Sequence, residues 1–219
     1  MKTIPLNARS KAILTRIGTK KTFSPAQTIY WQQDFGNTFF YIQKGRVRAF
    51  LLHASGKELT YEIVGEGRLV GMTDPLLESI RTTSIEAVTQ VELIELKIDD
   101  LLRCPQESGE LAIEIIRLLS YSVEALARHV RRLTFLNAPE RIADFLLEIS
   151  EDPHPSLEVA ANDTIPYSHQ EIAECCALQR VTVTRALKAL EARGLIELGY
   201  RRITIKDRTT LEKFARSSL

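Results

Sequence analysis

Short apolar runs separated by turn residues fill the first half of the chain, from Lys21 to about Leu102. Stretches such as ASGK and GEGR divide the runs at regular intervals, a spacing typical of an antiparallel barrel or jelly roll. The predicted strands are TIYW, TFFYIQ, RVRAFLL, LTYEIV, TTSIEAV and VELIEL. An amphipathic stretch from Ala8 to Ile17 predicts a short helix in front of them. The pattern therefore predicts an N-terminal β-roll preceded by a helix.

The apolar positions change their period from about Ser108 and alternate between steps of four and three residues as far as Phe135. The residues of this seam are Ala112, Ile116, Leu119, Val123, Leu126, Val130 and Leu133. Such heptad spacing, with polar residues at most other positions, is typical of a helix that pairs with a copy of itself. The alternative is a single amphipathic helix packed against the β-roll. We interpret the segment as a dimerisation helix, whose dimer interface consists of the seam residues other than Ala112.

The remaining pattern predicts three further helices and a hairpin after a helix boundary. Asn137 and Pro139 suit that boundary, because Asn caps helix ends and Pro fits a first helical turn. ERIADFLLEIS then predicts an amphipathic helix, and Ser168 with Glu171 forms a capping-box pattern that opens a short helix ending near Cys176. LQRVTVTRALKAL predicts another helix, and GLIEL and RRITIKD predict two strands around a Gly-Tyr turn. Together these elements predict a winged helix-turn-helix.

Charge is segregated within the C-terminal part, although the net charge of the whole chain is only +1. Residues 137–175 hold nine acidic side chains and one basic side chain, whereas residues 176–219 hold ten basic and four acidic ones. The basic half coincides with the second helix of the predicted helix-turn-helix and its wing. Lys and Arg side chains supply most of the sequence-independent affinity for DNA phosphates. The alternative for such a run is a solvated basic surface.

The helix from Arg180 onward contains valines and threonines in its first turns, although both are mediocre helix formers. A recognition helix enters the major groove by its N-terminal turns, where arginine contacts guanine and methyl groups contact thymine. Arg180, Val181, Thr184 and Arg185 share one predicted exposed face. The predicted DNA-binding residues are Ser168, Gln170, Gln179, Arg180, Val181, Thr182, Thr184, Arg185, Lys188 and Arg201.

The order of these elements, with the segments FLNAPERIADFLL and SHQEIAECCALQRVTVTRALKALEARGLI, resembles the cyclic-AMP receptor protein / fumarate–nitrate reductase regulator (CRP/FNR) family. The resemblance extends from about Phe23 to Ile205, and the RVTVTR segment is most similar to the cyanobacterial global nitrogen regulator of that family. Membership implies a homodimer that binds a two-fold symmetric operator in double-stranded DNA and controls transcription. RNA polymerase is then an expected partner.

The fold class is accordingly α+β, with three predicted domains. Residues 1–107 form an effector-sensing antiparallel β-roll (a jelly roll) like a cyclic-nucleotide-binding domain. Residues 108–136 form the dimerisation helix, and residues 137–219 form the winged helix-turn-helix DNA-binding domain.

The helix-turn-helix departs from the family pattern at three positions. Val181 stands where the family commonly has a glutamate that accepts from cytosine, so we expect a different half-site. Ala177 replaces the usual glycine of the turn, and Gln179 replaces the usual serine cap. Because a left-handed alanine costs about 1–2 kcal/mol, we expect a slightly remodelled turn.

The effector site departs further from the family pattern. In members that bind cyclic AMP, a Gly-Glu pair holds the ribose and an Arg-Ser/Thr pair holds the phosphate. Here Arg81-Thr82 matches, but Gly71-Met72 and Leu126-Ala127 lack the polar groups for ribose and purine. The candidate effector-binding residues are Gly71, Met72, Thr73, Arg81, Thr82, Leu126 and Val130.

We expect a small-molecule effector other than cyclic AMP, of unknown identity, bound between the β-roll and the dimerisation helix. One alternative is a cyclic nucleotide, and another is 2-oxoglutarate, whose dimer-helix Arg and Glu correspond to Ser122 and Ala127 here. A further alternative is a regulator that binds DNA without any ligand. Core packing is the alternative role for Met72, Leu126 and Val130.

The sequence contains few features that would indicate another class of protein. We expect no enzyme, because no nucleophile–base set, metal cluster or glycine-rich phosphate loop is evident. We also expect no metal, haem or iron–sulfur cluster, since the four histidines are scattered and the three cysteines include an adjacent pair. The cysteines are interpreted as buried or idle thiols, with a redox role as the alternative. A sensor whose winged helix contacts only other proteins is the remaining rival.

Location follows from the same composition. With no apolar run of about 18 residues and no secretory signal, we expect no membrane association. The odd number of cysteines fits a reducing environment, so the expected location is the cytoplasm.

Overall fold

The computed structural model describes residues 6–103, 108–151, 164–200 and 202–216, which fall into two compact units. The N-terminal unit ends at Glu124 and the C-terminal unit begins at Ala125. This division falls inside one long helix, α4 (Ser108–Phe135), which therefore contributes residues to both units. The heptad seam lies entirely on α4.

The N-terminal unit contains two antiparallel sheets of four strands each among its described residues. Their strand orders are β1-β8-β3-β6 and β2-β7-β4-β5. The strands are β1 (Thr19–Phe23), β2 (Thr28–Tyr30), β3 (Thr38–Lys44), β4 (Val47–Leu52), β5 (Glu58–Val64), β6 (Leu69–Val70), β7 (Ser84–Ala87) and β8 (Val91–Lys97). The helices are α1 (Ala8–Ile17), α2 (Thr73–Leu76) and α3 (Ile98–Leu102), followed by α4. The predicted β-roll and its preceding helix are confirmed.

Alternating side chains of the central strands build two apolar clusters. Phe40 and Ile42 of β3 point into the cluster that both sheets share. Phe39 and Tyr41, on the other face of the same strand, pack with Leu14 of α1 and with the first turns of α4. Because successive side chains on a strand point to opposite faces, both faces of β3 are buried. This explains why its sequence is apolar without alternation.

The C-terminal unit is a winged helix-turn-helix, as predicted. Its remaining elements are α5 (Ala138–Glu151), β9 (Thr164–Ile165), α6 (His169–Cys175), α7 (Arg180–Ala192), β10 (Ile196–Gly199), β11 (Arg202–Ile205) and α8 (Arg208–Ala215). The three strands form one antiparallel sheet in the order β10-β11-β9. The boundary before α5 is a reciprocal cap: the Glu140 amide donates to Asn137 Oδ1 at 3.2 Å, and the Asn137 amide donates to Glu140 Oε2 at 3.0 Å.

Several elements differ from the sequence expectation. The strand β1 was not predicted, because its TKKTF sequence is largely exposed and its pairing with β8 is a backbone interaction. The helix α8 was also not predicted; it packs against α5 through a side that includes the buried Leu211 and Ala215. Short elements such as β6, of two residues, are too brief to produce a detectable period.

Candidate DNA-binding surface and candidate effector site

The first helix of the helix-turn-helix, α6, begins with the predicted capping box. The Glu171 amide donates to Ser168 Oγ at 3.2 Å, and the Ser168 amide donates to Glu171 Oε2 at 2.7 Å. The two reciprocal bonds satisfy amides that a helix start otherwise leaves unpaired. They set the position at which α6 begins, and with it the placement of Ser168 and Gln170 at the surface.

The turn between α6 and α7 contains a left-handed alanine. Ala177 has φ of 53°, its amide donates to Glu174 O at 3.3 Å, and the Leu178 amide donates to Ala173 O at 2.9 Å. This pair of bonds is the Schellman closure of a helix end, which requires a left-handed residue at that position. The expectation of a remodelled turn was therefore wrong. The turn keeps its usual geometry, and Ala177 adopts the left-handed conformation in spite of its energetic cost.

The helix α7 separates a buried face from an exposed face. Val183, Leu187 and Leu190 are buried in the core of the unit. On the opposite side Arg180, Arg185 and Lys188 are exposed, as is Val181, of which 58% is accessible. An exposed β-branched residue in a first helical turn contributes nothing to the core and little to helix stability, which favours an external contact.

Thr184, one of the predicted DNA-binding residues, has partners inside the protein. The Thr184 hydroxyl donates to Arg180 O at 3.0 Å and lies 3.0 Å from His169 Nδ1, so it ties α7 to α6. Burial and the nearby Arg180 guanidinium lower the pKa of His169. Gln179 occupies the cap position of α7 without a capping hydrogen bond from its side chain, and it is exposed. Thr182 is half-buried.

A cleft of ≈ 260 Å³ lies between the N-terminal end of α6 and the wing. Its lining brings together Ser168, Gln170 and Arg180, three predicted DNA-binding residues, with Arg202 of β11. Arg201, the predicted wing contact, lies outside the described residues. Arg202 was not predicted, although the RR pair at the start of the second wing strand was a usable signal. The cleft is lined by two arginines and a serine hydroxyl, groups that bind phosphate oxygens.

The charge segregation seen in the sequence has a structural basis. The α5 acids Asp144 and Glu148 pair with arginines of α4, where Arg132 bonds to both of them. Among the described residues, Arg180 and Lys188 of α7 form no ion pair. Two acids of the acidic half, Asp144 and Glu148, are therefore neutralised by α4, and the exposed face of α7 remains positive.

The buried interior of this unit holds Cys175 and Cys176, which are free thiols. Burial raises the pKa of Cys176 to about 12 and raises that of Cys175 as well. Because the thiolate is the reactive form, this environment favours the interpretation as buried structural thiols. In the part of the chain that the structure describes, no group of three or more His, Cys, Asp or Glu side chains is arranged to hold a metal ion. None of the described helices is long and apolar enough to cross a bilayer.

The candidate effector residues occupy different environments in the structure. Met72 is only 4% exposed and packs in the cluster that joins β3 to α1, which is the core role considered for it. Thr73 and Thr82 are exposed on the N-terminal unit, and Gly71 is half-buried with φ of 71°. Leu126 and Val130 belong to the C-terminal unit and are both about half exposed on α4.

Arg81 is buried, and acceptors of its own unit surround its guanidinium. Nη1 donates to Gly71 O at 2.9 Å and lies 3.6 Å from Asp74 Oδ2. Nη2 donates to Thr38 O at 2.5 Å and to Thr38 Oγ1 at 3.2 Å. The guanidinium carbon sits 4.0 Å from the ring centroid of Tyr30. Burial raises the pKa of the Tyr30 hydroxyl to about 12 against the opposing effect of Arg81, so this ring stays neutral.

The heptad seam of α4 is largely uncovered. Val123 is 68% exposed, and Ile116, Leu126 and Val130 each expose about half of their surface. Leu119 and Leu133 are partly covered. The exposed apolar set is wider than predicted, since it also includes Ile113 and Phe135. A row of large apolar side chains of this length on one helix is typical of a protein–protein interface.

Comparisons with known proteins match both halves of the chain. The family model of the cyclic nucleotide-binding domain matches residues 20–108, and that of the Crp-like helix-turn-helix domain matches residues 140–214. A global nitrogen regulator of Synechococcus elongatus is 30% identical over 186 residues, which cover 84% of this chain and 83% of that protein. A cyclic AMP receptor protein of Thermus thermophilus is 28% identical over 196 residues, covering 90% of this chain and 88% of that protein.

A solved structure agrees with these matches. The structure of a CRP/FNR-family transcriptional regulator from Thermus thermophilus shares 27% identity with this chain, with a TM-score of 0.72. The similarity covers 92% of this chain and 100% of that one. The similarity therefore extends over both the β-roll and the winged helix-turn-helix.

Proposed function

Since the chain belongs to the CRP/FNR family of transcription regulators, we propose that it is a homodimer that binds a two-fold symmetric DNA operator in a sequence-specific manner. The exposed N-terminal face of α7 is the observation that carries this proposal. Arg180, Val181 and Arg185 are exposed there although a stable helix needs none of them. Acting on a chromosomal operator, the protein would work in the cytoplasm and would have RNA polymerase as a partner.

Each exposed residue has a defined role in this proposal. Arg180 and Arg185 donate paired hydrogen bonds to guanine, and the Val181 methyl groups contact a thymine methyl. Lys188 and the cleft residues Ser168, Gln170 and Arg202 contact phosphates, which position the helix without reading sequence. Val181 cannot accept a hydrogen bond, so the half-site lacks the cytosine contact that a glutamate would make.

Dimerisation is supported by the uncovered seam of α4. Two copies of Val123, Leu126 and Val130 would exclude water from each other, as the a and d positions of a coiled coil do. Pairing would bring two copies of α7 to half-sites about 34 Å apart, one turn of DNA. Pairing of two α4 helices would account both for the heptad spacing of these apolar residues and for their exposure in a single chain.

The effector is proposed to be a small molecule other than cyclic AMP, bound between the β-roll and the dimerisation helix. The missing ribose carboxylate at Met72 supports this proposal, as does the absence of polar groups at Leu126-Ala127. A cyclic nucleotide, 2-oxoglutarate or no ligand at all remain the alternatives. Native mass spectrometry of the purified dimer tests them by measuring the mass of any retained ligand. The operator affinity with and without each candidate then shows whether that ligand matters.

The DNA-binding proposal is tested by selecting an operator from random duplex DNA with the full-length protein. We expect Arg180→Ala and Arg185→Ala each to weaken operator binding by about 1–3 kcal/mol and to relax the base preference at one position. Lys188→Ala should weaken binding to operator and random DNA alike, and should reduce the salt slope by about 1. Arg117→Ala, an exposed arginine of the N-terminal unit, is the matched control and should change neither quantity. Equal losses on operator and random DNA for Arg180→Ala and Arg185→Ala would refute base reading by α7.

A further inference from the structure

Arg81 and Thr82 match the family's phosphate-binding pair, and the carboxylate of Asp74 contacts both of them. Asp74 Oδ1 accepts hydrogen bonds from the Thr82 hydroxyl at 3.0 Å and the Thr82 amide at 3.3 Å. Its other oxygen, Oδ2, lies 3.6 Å from Arg81 Nη1. Asp74 therefore contacts the arginine, the hydroxyl and the amide that an incoming anion would need.

The burial of both charges makes this pairing hard to exchange. The side chains of Arg81 and Asp74 are 2% and 3% exposed. A buried charge without a partner is strongly unfavourable, so each of the two charges stabilises the other in the interior. An anionic ligand would have to displace Asp74, or would have to place a second negative charge beside it where water screens little.

The surroundings of Arg81 leave little space for a rearrangement. Gly36 and Gly71 both lie against the guanidinium, since a Cβ on Gly36 would come within 2.4 Å of Nε and a Cβ on Gly71 within 3.1 Å of Nη1. Tyr30 covers one face of the guanidinium at 4.0 Å, and Thr38 accepts from Nη2. The guanidinium is held on several sides in the orientation that faces Asp74.

We propose that Asp74 is an internal counter-ion of Arg81 and a specificity-determining residue that excludes phosphate and carboxylate ligands from this β-roll. By this inference the chain does not bind cyclic nucleotides through Arg81-Thr82, and its effector is a ligand without an anionic group at this position. The inference deepens the proposed function, on which it rests for the existence of an effector. Its test measures anion binding and stability without DNA, so the two proposals can fail separately.

The test removes the carboxylate and asks whether an external anion replaces it. In the full-length Asp74→Ala protein, Arg81 loses its counter-ion and Thr82 loses its acceptor, so we expect a lower melting temperature in buffer without phosphate or sulfate. Added inorganic phosphate should then bind saturably and restore stability. At a concentration about 100 times its Kd it raises the folding equilibrium constant about 100-fold. The wild-type protein should show no saturable binding of phosphate, cyclic AMP or cyclic GMP by calorimetry.

The matched control is the double variant Asp74→Ala/Arg81→Met, which lacks the arginine as well. Phosphate and sulfate stabilise most folded proteins weakly by exclusion from their surface, and this variant measures that general effect. A response of the double variant equal to that of Asp74→Ala would overturn the proposal. If Asp74→Ala does not fold without anion, refolding it with and without phosphate supplies the same comparison. Asp74→Asn, which keeps an oxygen for Thr82, is the milder variant and should gain phosphate binding of lower affinity.

Two further outcomes would overturn the inference. Binding of cyclic AMP or cyclic GMP to the wild-type protein, abolished by Arg81→Met, would show that Asp74 does not exclude anions. A folded Asp74→Ala protein that binds no phosphate would show that Arg81 is not an anion site even when it is free. A gain of at least about tenfold in phosphate affinity on removing Asp74, absent from the double variant, supports it.

Discussion

Replacement of Arg132 by methionine should destabilise the C-terminal unit, because Arg132 joins α4 to α5 from a buried position. Its side chain is 2% exposed, its Nε donates to Asp144 Oδ2 at 2.9 Å, and its Nη2 bonds to Glu148. The guanidinium carbon also lies 5.4 Å from the ring centroid of Phe145. Methionine keeps much of the apolar volume and removes the charge, so the loss measured is mainly that of the ion pairs.

The size of the stability loss depends on the ion-pair partners that Asp144 and Glu148 keep after Arg132 is replaced. Removing one partner of a buried ion pair costs about 3–5 kcal/mol when the other charge is left alone. Here Asp144 still bonds to Arg131, and Glu148 still bonds to Arg128 at 2.8 Å. Their side chains are also 17% and 25% exposed. We therefore expect a smaller loss, about 2–3 kcal/mol in the free energy of unfolding.

The pH dependence gives an independent measure of the same interaction. Burial alone would raise the pKa of Glu148, but attraction to Arg132 and hydrogen bonds from Arg132 and Arg128 outweigh it and lower this pKa. A lowered folded-state pKa stabilises the protein above the ordinary value of 4.5, and the contribution is lost as the pH falls through the folded-state value. The stability gap between wild type and Arg132→Met should therefore be largest at neutral pH and should narrow below pH 4.5.

Urea unfolding of the full-length proteins, followed by far-UV circular dichroism, measures both effects. The midpoint should fall while the slope m stays unchanged, since the fold is the same. Arg117→Met removes an exposed arginine of the same helix and serves as the control, with an expected change close to zero. A midpoint equal to wild type at neutral pH, or a gap that does not narrow in acid, would refute this role of Arg132.

Two other predictions address the turn and the seam. Ala177→Gly should stabilise the protein by about 1 kcal/mol, since a left-handed alanine costs about 1–2 kcal/mol and glycine loses more chain entropy on folding. Ala189→Gly, at an exposed position inside α7, should instead destabilise it by about 1 kcal/mol, and stability changes of the same sign would contradict the strain. Leu126→Glu should convert the dimer to monomer in sedimentation velocity, whereas Arg117→Glu on the same helix should not. A dimeric Leu126→Glu protein would exclude this seam as the interface.

Patterns that involve near neighbours in the chain were sufficient to predict much of the molecule. The helix predicted from Ala8 to Ile17 has the observed bounds of α1, and the capping box of Ser168 and Glu171 is formed. Both depend only on side-chain period and on hydrogen bonds within one turn. The strand β1 was not predicted, because Lys20 and Lys21 interrupt any apolar pattern in its sequence. This edge strand forms through backbone pairing with β8, which is distant in the chain.

The candidate sites show the limit of such patterns. The exposed face of α7 followed from helical period, and the structure places Arg180, Val181 and Arg185 on it. Thr184 was assigned to the same face, yet its hydroxyl contacts His169 of the preceding helix. Arg202 lines the cleft but was not predicted as a site residue, since its position depends on how the wing packs beside α6.

The sequence by itself determined the order of the elements, the apolar seam of α4 and the segregation of charge, because period, caps and composition are properties of the chain before it folds. The tertiary structure alone decided which charges meet. Asp74 lies against Arg81 and Thr82, and Arg132 lies between Asp144 and Glu148, because folding brings these groups together in interiors where an unpaired charge is costly. The sequence pattern identifies Arg81 and Thr82 as residues able to bind an anion. Only the folded structure shows that the carboxylate of Asp74 already contacts both of them.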